Sequence, residues 1–98
     1  MLKKSFTIKA DPAVQQTISN ILGREIKTII YLIPISGQHH KVRDSIAEIG
    51  AKEFKGLSNH IYIAALVTTD QAQRLADCPS VSAIVNKRGD QPNPAKPQ

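Results

Sequence analysis

The sequence predicts a single α+β domain, and three observations carry that prediction. From Lys27 onward, runs of aliphatic and β-branched residues alternate with segments whose apolar residues recur at helical spacing. The changeovers fall at residues that end or begin regular structure, namely Pro34, Gly50, Thr68 and Pro79. A chain of 98 residues with 41% hydrophobic content can also bury one core without metal or disulfide staples.

Residues Lys4 to Lys9 alternate in polarity, with Phe6 and Ile8 on one side, which predicts a short strand. Asp11 followed by Pro12 reads as an N-cap and a proline at the first helical position. Val14, Ile18, Ile21 and Leu22 then recur at helical spacing before Gly23 closes the helix. The run KTIIYLIPIS from Lys27 is apolar on both faces, as a central strand is, and should end at Pro34, which cannot donate to a ladder. Ser36 is the expected cap of the next helix, GQHHKVRDSIAEIG, where Val42, Ile46 and Ile49 form one stripe and Gly50 supplies the stop.

After Gly50, AKEFKGLS reads as a short strand, and Gly56 with Ser58 and Asn59 marks a hairpin turn into HIYIAALVT. There Ile61, Ile63, Ala65 and Val67 share one face, and Tyr62, Ala64 and Leu66 the other. Thr68 and Gln71 have the spacing of a capping box, opening a helix whose apolar face is Ala72, Leu75 and Ala76. Pro79 stops that helix, and Val81, Ala83 and Val85 begin a last strand by alternation. The end, NKRGDQPNPAKPQ, has three prolines and no periodicity, so an extended tail is expected.

The chain therefore divides into an N-terminal strand and helix (1–26), a central unit (27–86) and a tail (87–98). Within the central unit the order is strand, helix, strand, strand, helix, strand. Right-handed crossovers fold that order into a ferredoxin-like split βαβ sandwich, a four-stranded antiparallel sheet with both helices on one face. Its expected core is Val42, Ile46, Ile49, Ile61, Ile63, Leu75 and Val81. The first 26 residues are left to extend the sheet edge, to cover its open face, or to pair with a second copy.

Composition narrows function. The single Cys78 permits no internal disulfide and no Cys-x-x-Cys motif, and is read as a small filler at a helix end. Neither a signal peptide nor an apolar window of about 18 residues is present, so a soluble, cytoplasmic chain is expected. Thirteen Lys and Arg against eight Asp and Glu give +5, but the cations are scattered and only Phe6, Tyr31, Phe54 and Tyr62 could stack on bases. That argues against nucleic acid as the partner. His39, His40 and His60 have no carboxylate at ligand spacing, and adjacent histidines on a helix point about 100° apart, so no metal is expected. No phosphate loop or nucleophile elbow occurs, so neither an enzyme nor a cofactor is expected. Arg88-Gly89-Asp90 is a chance match to an adhesion tripeptide.

A further pattern lies in IGAKEFKGLSNHIYIAALVTTDQAQRLADCPSVSAIV. Gly50-Ala51, the strand ending in Ala65-Leu66, the Leu75-Ala76 pair, and Pro79-Ser80-Val81 with Val85 stand in an order and spacing that resemble the subtilisin propeptide and proteinase-inhibitor family. The resemblance covers roughly Lys27 to Val85. It implies a standalone inhibitor, or intermolecular chaperone, of subtilisin-like serine proteases, with the outer sheet face on the enzyme and the segment after the last strand lying substrate-like in the cleft. On that footing Tyr62 and Leu66 are the candidates for the partner-facing side of their strand. Asn86 is a candidate acceptor for backbone N–H groups of the enzyme. Asp90, Gln91, Pro92 and Asn93 occupy the substrate-like positions, and Pro94, lacking an N–H, stands where it would hinder cleavage. Asn86, Lys87 and Arg88 stand where the family commonly carries acidic residues. No protease domain follows, so action in trans is expected. The alternative from another class is a non-enzymatic interaction or regulatory module, homodimeric through its sheet, with weak nucleic-acid binding as a further option.

Overall fold

In the computed structural model, which describes residues 2–86, the chain begins with a helix, α1 (Lys4–Lys9), where a strand was expected. The deciding signal is the spacing of four between Leu2, Phe6 and Ala10. Phe6 and Ala10 are buried and Leu2 packs on the same core, while Ile8 is 71% exposed, which a strand sharing Phe6's face could not allow. Helix α2 (Pro12–Ile21) starts as the sequence predicts: Asp11 caps it, its Oδ1 accepting from Val14 N at 2.9 Å, with Pro12 next. Val14 and Ile18 are fully buried.

The rest follows as β1 (Thr28–Pro34), α3 (His39–Glu48), β2 (Lys52–Glu53), a 3₁₀ turn (Lys55–Leu57), β3 (Ile63–Val67), α4 (Thr69–Ala76) and β4 (Val81–Val85). The four strands form one antiparallel sheet in the order β2-β3-β1-β4, the arrangement of a ferredoxin-like split βαβ fold. Residues of α3 and α4 (Val42, Ile46, Ala72, Leu75, Ala76) share one buried cluster with Ile30 and Leu32 of β1, Ile63, Ala65 and Val67 of β3, and Val81 and Ile84 of β4. Both helices thus cover the same sheet face.

The N-terminal helices join that layer. Phe6, Ala10, Val14 and Ile18 belong to the same cluster, and Ala10 forms a single parallel bridge to Ile84, with Asp11 N donating to Ile84 O at 3.0 Å. They close the outer edge of β4 and leave the opposite sheet face free of helices. Polar contacts hold α1 to α4: Lys3 N donates to Gln73 Oε1 at 2.6 Å, and Lys3 and Ser5 both hold the Asp77 carboxylate. Those two donors keep the Asp77 carboxyl below its ordinary value.

Three local expectations need correction. Ser36 does not cap α3. With Gly37 at φ +80°, it forms a turn that delays the helix to His39; Gln38 occupies the cap position, and its side chain instead accepts from Ser80 Oγ at 2.6 Å. The strand expected at AKEFKGLS shrinks to two residues, because the chain turns into the 3₁₀ segment after Phe54. Ile61 is not in the core but 46% exposed. Asn59 Oδ1 accepts from both Ile61 N and Tyr62 N at 2.8 Å, a side-chain-closed turn that takes Ile61 out of the alternation of β3. Ile49 sits half-buried at the edge of the core. Gly50, at φ +81°, ends α3 as expected, and Thr68 with Gln71 forms the expected capping box of α4.

Candidate functional site

The helix-free face of the sheet is apolar over β1, β3 and the end of β4, and meets Lys52 at the β2 edge. In β1 the residues alternate strictly: Ile30 and Leu32 enter the core, while Ile29, Tyr31 and Ile33 point to the open side. Register brings Leu66 opposite Ile29, Ala64 opposite Tyr31, and Val85 opposite Tyr31 on the other flank. Tyr31, Tyr62 and Ala64 form a second small buried cluster, with Ile29, Ile33, Leu57 and Val85 packed around it.

Part of this face is roofed by its own loop. The stretch from Phe54 to Tyr62 is closed on itself: Asn59 N donates to Tyr62 O at 2.8 Å, and Ser58 Oγ accepts from Ala64 N at 3.0 Å and donates to Phe54 O at 3.2 Å. His39 Nε2 lies 2.6 Å from His60 O, linking the loop to the start of α3. Leu57 is thereby held against the tyrosine pair. The rings of Tyr31 and Tyr62 meet edge to face, with centroids 6.3 Å apart and planes at 84°. Only 9% of Tyr31 and 6% of Tyr62 is exposed, so neither ring offers a flat surface on which a base could stack.

What stays open is the corner where β2 meets β3. Lys52 pairs with Leu66 across the strands, and between them and Phe54 runs a groove of about 130 Å³ lined by Lys52, Glu53, Phe54 and Leu66. Phe54 is 45% exposed. One oxygen of the Glu53 carboxylate is engaged by α3, Oε1 accepting from Arg43 Nε at 2.9 Å, while Oε2 is buried with no hydrogen-bond partner among the described residues. Burial opposes its ionisation, but the hydrogen bond from Arg43 and the charges of Arg43 and Lys55 outweigh that and hold its pKa below the ordinary 4.5. The strand residues of the open face therefore carry one charge, that of Lys52, and no carboxylate.

Of the residues singled out in the sequence, Tyr62 and Leu66 both lie on this face, but they differ in access. Tyr62 packs on Tyr31 and not on the N-terminal helices, and presents almost no surface. Leu66 is half-buried and lines the groove. Asn86, half-buried, directly follows β4. Asp90, Gln91, Pro92, Asn93 and Pro94 lie outside the described residues. The face also contains Ile29, Tyr31, Ile33, Phe54 and Leu57, which sequence reading did not assign to it. The first three were findable, since they are every second residue of β1, but the run is apolar on both sides and alternation cannot say which side is covered. Among the described residues no three His, Cys, Asp or Glu side chains gather at metal-binding range. Nor is any helix there long and apolar enough to cross a membrane. Cys78 is half-buried, its Sγ 3.2 Å from Ser45 Oγ. No protein-family model, no curated protein and no solved structure matches the chain.

Proposed function

We propose that this chain is a non-enzymatic, cytoplasmic inhibitor, or intermolecular chaperone, of subtilisin-like serine proteases, with the helix-free sheet face as its docking surface. The observation that carries the reading is the apolar, helix-free face formed by β1, β3 and β4, which ends at β4, the strand from which the C-terminal segment departs. An apolar sheet face that no helix covers and the loop only partly roofs is a surface suited to another protein. The protease class comes from the sequence resemblance between Lys27 and Val85.

Position gives the physical logic. Val85 packs on the open face beside Tyr31, and Ile84 is buried in the core, so the chain leaves the sheet at a fixed point. The tight passage from α4 through Asp77–Ser80 into β4 anchors that point further, with Cys78 N donating to Leu75 O and Val81 N to Cys78 O, each at 3.1 Å. A tail leaving a rigid sheet has less freedom to lose on entering a cleft than one on a frayed strand.

Titration into a panel of subtilisin-type proteases tests the reading, with deletion of residues 91–98 as the informative variant. The intact protein should inhibit at least one enzyme of the panel, and the shortened one should keep its fold and inhibit at least tenfold more weakly. Equal potency of the two rejects the role of the tail, and inhibition of no enzyme rejects the protease reading.

A further inference from the structure

We propose that the groove at the β2 corner receives an apolar side chain of the partner protein that has a carboxylate beside it, so that the partner surface is acidic as well as apolar. The proposal rests on the docking role of the open face given above, and adds what that face recognises.

Size and lining come first. The groove holds about 130 Å³, close to the roughly 150 Å³ at which an apolar cavity accepts benzene, so one leucine or phenylalanine side chain fits. Its walls are the Phe54 ring and Leu66, and the exposed part of Phe54 gains by being covered.

Charge then selects the occupant. Lys52 stands in the groove wall and has no ion-pair partner among the described residues, where the pairs are Lys3–Asp77, Arg43–Glu53 and Arg74–Asp70. The nearest acid in sequence, Glu53, is held by Arg43, and Lys55 follows it. An incoming carboxylate next to the apolar anchor would therefore meet a cation that nothing in the fold has claimed. A second copy of this chain fits poorly, because each carries +5 and would bring the same lysine-bearing corner against a groove whose one acid, Glu53, is already paired with Arg43. Nucleic acid is acidic but would find Phe54 as its one exposed ring here, since the two tyrosines are buried against each other.

The test uses two synthetic peptides, one with leucines flanked by glutamates and the other with lysines in place of those glutamates, added to the ¹⁵N-labelled protein at low salt. The glutamate peptide should shift the amides of Lys52, Phe54 and Leu66 and bind at least tenfold more tightly than its lysine counterpart. Lys52→Glu should abolish or invert that preference with the remaining spectrum unchanged, and Phe54→Ala should weaken both peptides. Equal binding of the two peptides, absence of shifts at Phe54 and Leu66 with either, or concentration-dependent shifts of these amides without peptide would each overturn the proposal, the last in favour of a second copy. Protease inhibition unaltered by Lys52→Glu and Phe54→Ala would overturn it while leaving the protease reading intact. Peptide binding at the groove by a protein that inhibits no protease would overturn the protease reading alone.

Discussion

Replacing Phe6 and Ile8 separately by alanine gives the sharpest test of how the N-terminal segment is built. If residues 4–9 were a strand, the two side chains would share a face and their losses would be comparable. In the helix they lie about 200° apart, with Phe6 fully buried and Ile8 71% exposed. Phe6 belongs to the same cluster as Val14, Ile18 and the sheet residues, so truncating it opens a cavity that α1, tied to α4 through Lys3 and Ser5, cannot readily close. The cost should be about 3–5 kcal/mol. Against a typical domain stability of about 5–15 kcal/mol this is a large fraction. Ile8→Ala removes little buried surface and gains helix propensity, so its effect should stay within about 0.5 kcal/mol of zero. Urea unfolding followed by circular dichroism reads both: with m of roughly 1–3 kcal/mol per M, the Phe6→Ala midpoint should fall by about a molar or more at unchanged m, and that of Ile8→Ala should hardly move. Losses for the two variants within about 0.5 kcal/mol of each other would refute the helical assignment, and a Phe6→Ala loss below about 1 kcal/mol would remove the N-terminal segment from the core.

The remaining predictions concern the sheet, a cap and acid. Ile63, fully buried and opposite Leu32, should cost about 2–5 kcal/mol as Ile63→Ala in the same unfolding assay, whereas exposed Ile61→Ala should cost well under 1 kcal/mol. Thr68→Ala removes the acceptor that Gln71 N uses at 3.2 Å and should lower stability by about 1 kcal/mol, while Thr68→Ser retains most of it. Because the folded pKa of Glu53 lies below its unfolded value, its ionised form stabilises the fold above about pH 4.5, and that contribution fades as pH falls through the depressed folded pKa. Arg43→Gln should therefore destabilise the protein more at pH 7 than at about pH 3, and a deficit equal at both pH values would show that the pair does not contribute through charge.

Much of the architecture was legible because local signals agreed with one another. Asp11-Pro12, Gly50, Thr68 with Gln71, and Pro79 each fix a boundary through a specific backbone requirement, and the structure ends or begins an element at each. The misreadings occur where two patterns overlapped or a side chain overrode the period. Lys4 to Lys9 alternates well enough to pass for a strand, and only the longer span Leu2, Phe6, Ala10 reveals the helical repeat. Ile61 alternates correctly with Ile63, but the Asn59 side chain takes the backbone N–H groups of Ile61 and Tyr62 into a turn of its own. A strand counted from the hydrophobic pattern alone includes residues whose donors are already committed.

The candidate site shows a deeper limit. Its apolar face comes from β1 and β3, whose residues are hydrophobic on both sides, so the sequence states that these strands are central but not which side the helices leave bare. That side depends on the hand of two crossovers and on the N-terminal helices, which could have covered the open face and instead close the β4 edge beside Ile84. Once the open side is fixed, the roles of its residues depend on a loop that cannot be read from periodicity. The turn held by Ser58 and Asn59 lays Leu57 on the tyrosine pair and turns Tyr62 from a contact residue into a support, and it leaves Phe54 and Leu66 at the corner with Lys52. The surface a partner can reach is accordingly narrower than the apolar face as a whole, and lies toward the β2 edge where Lys52 also sits. Substitutions at Phe54, Leu66 and Lys52 should therefore alter recognition with little change in stability, whereas substitutions at Tyr31 and Tyr62 should act through stability first.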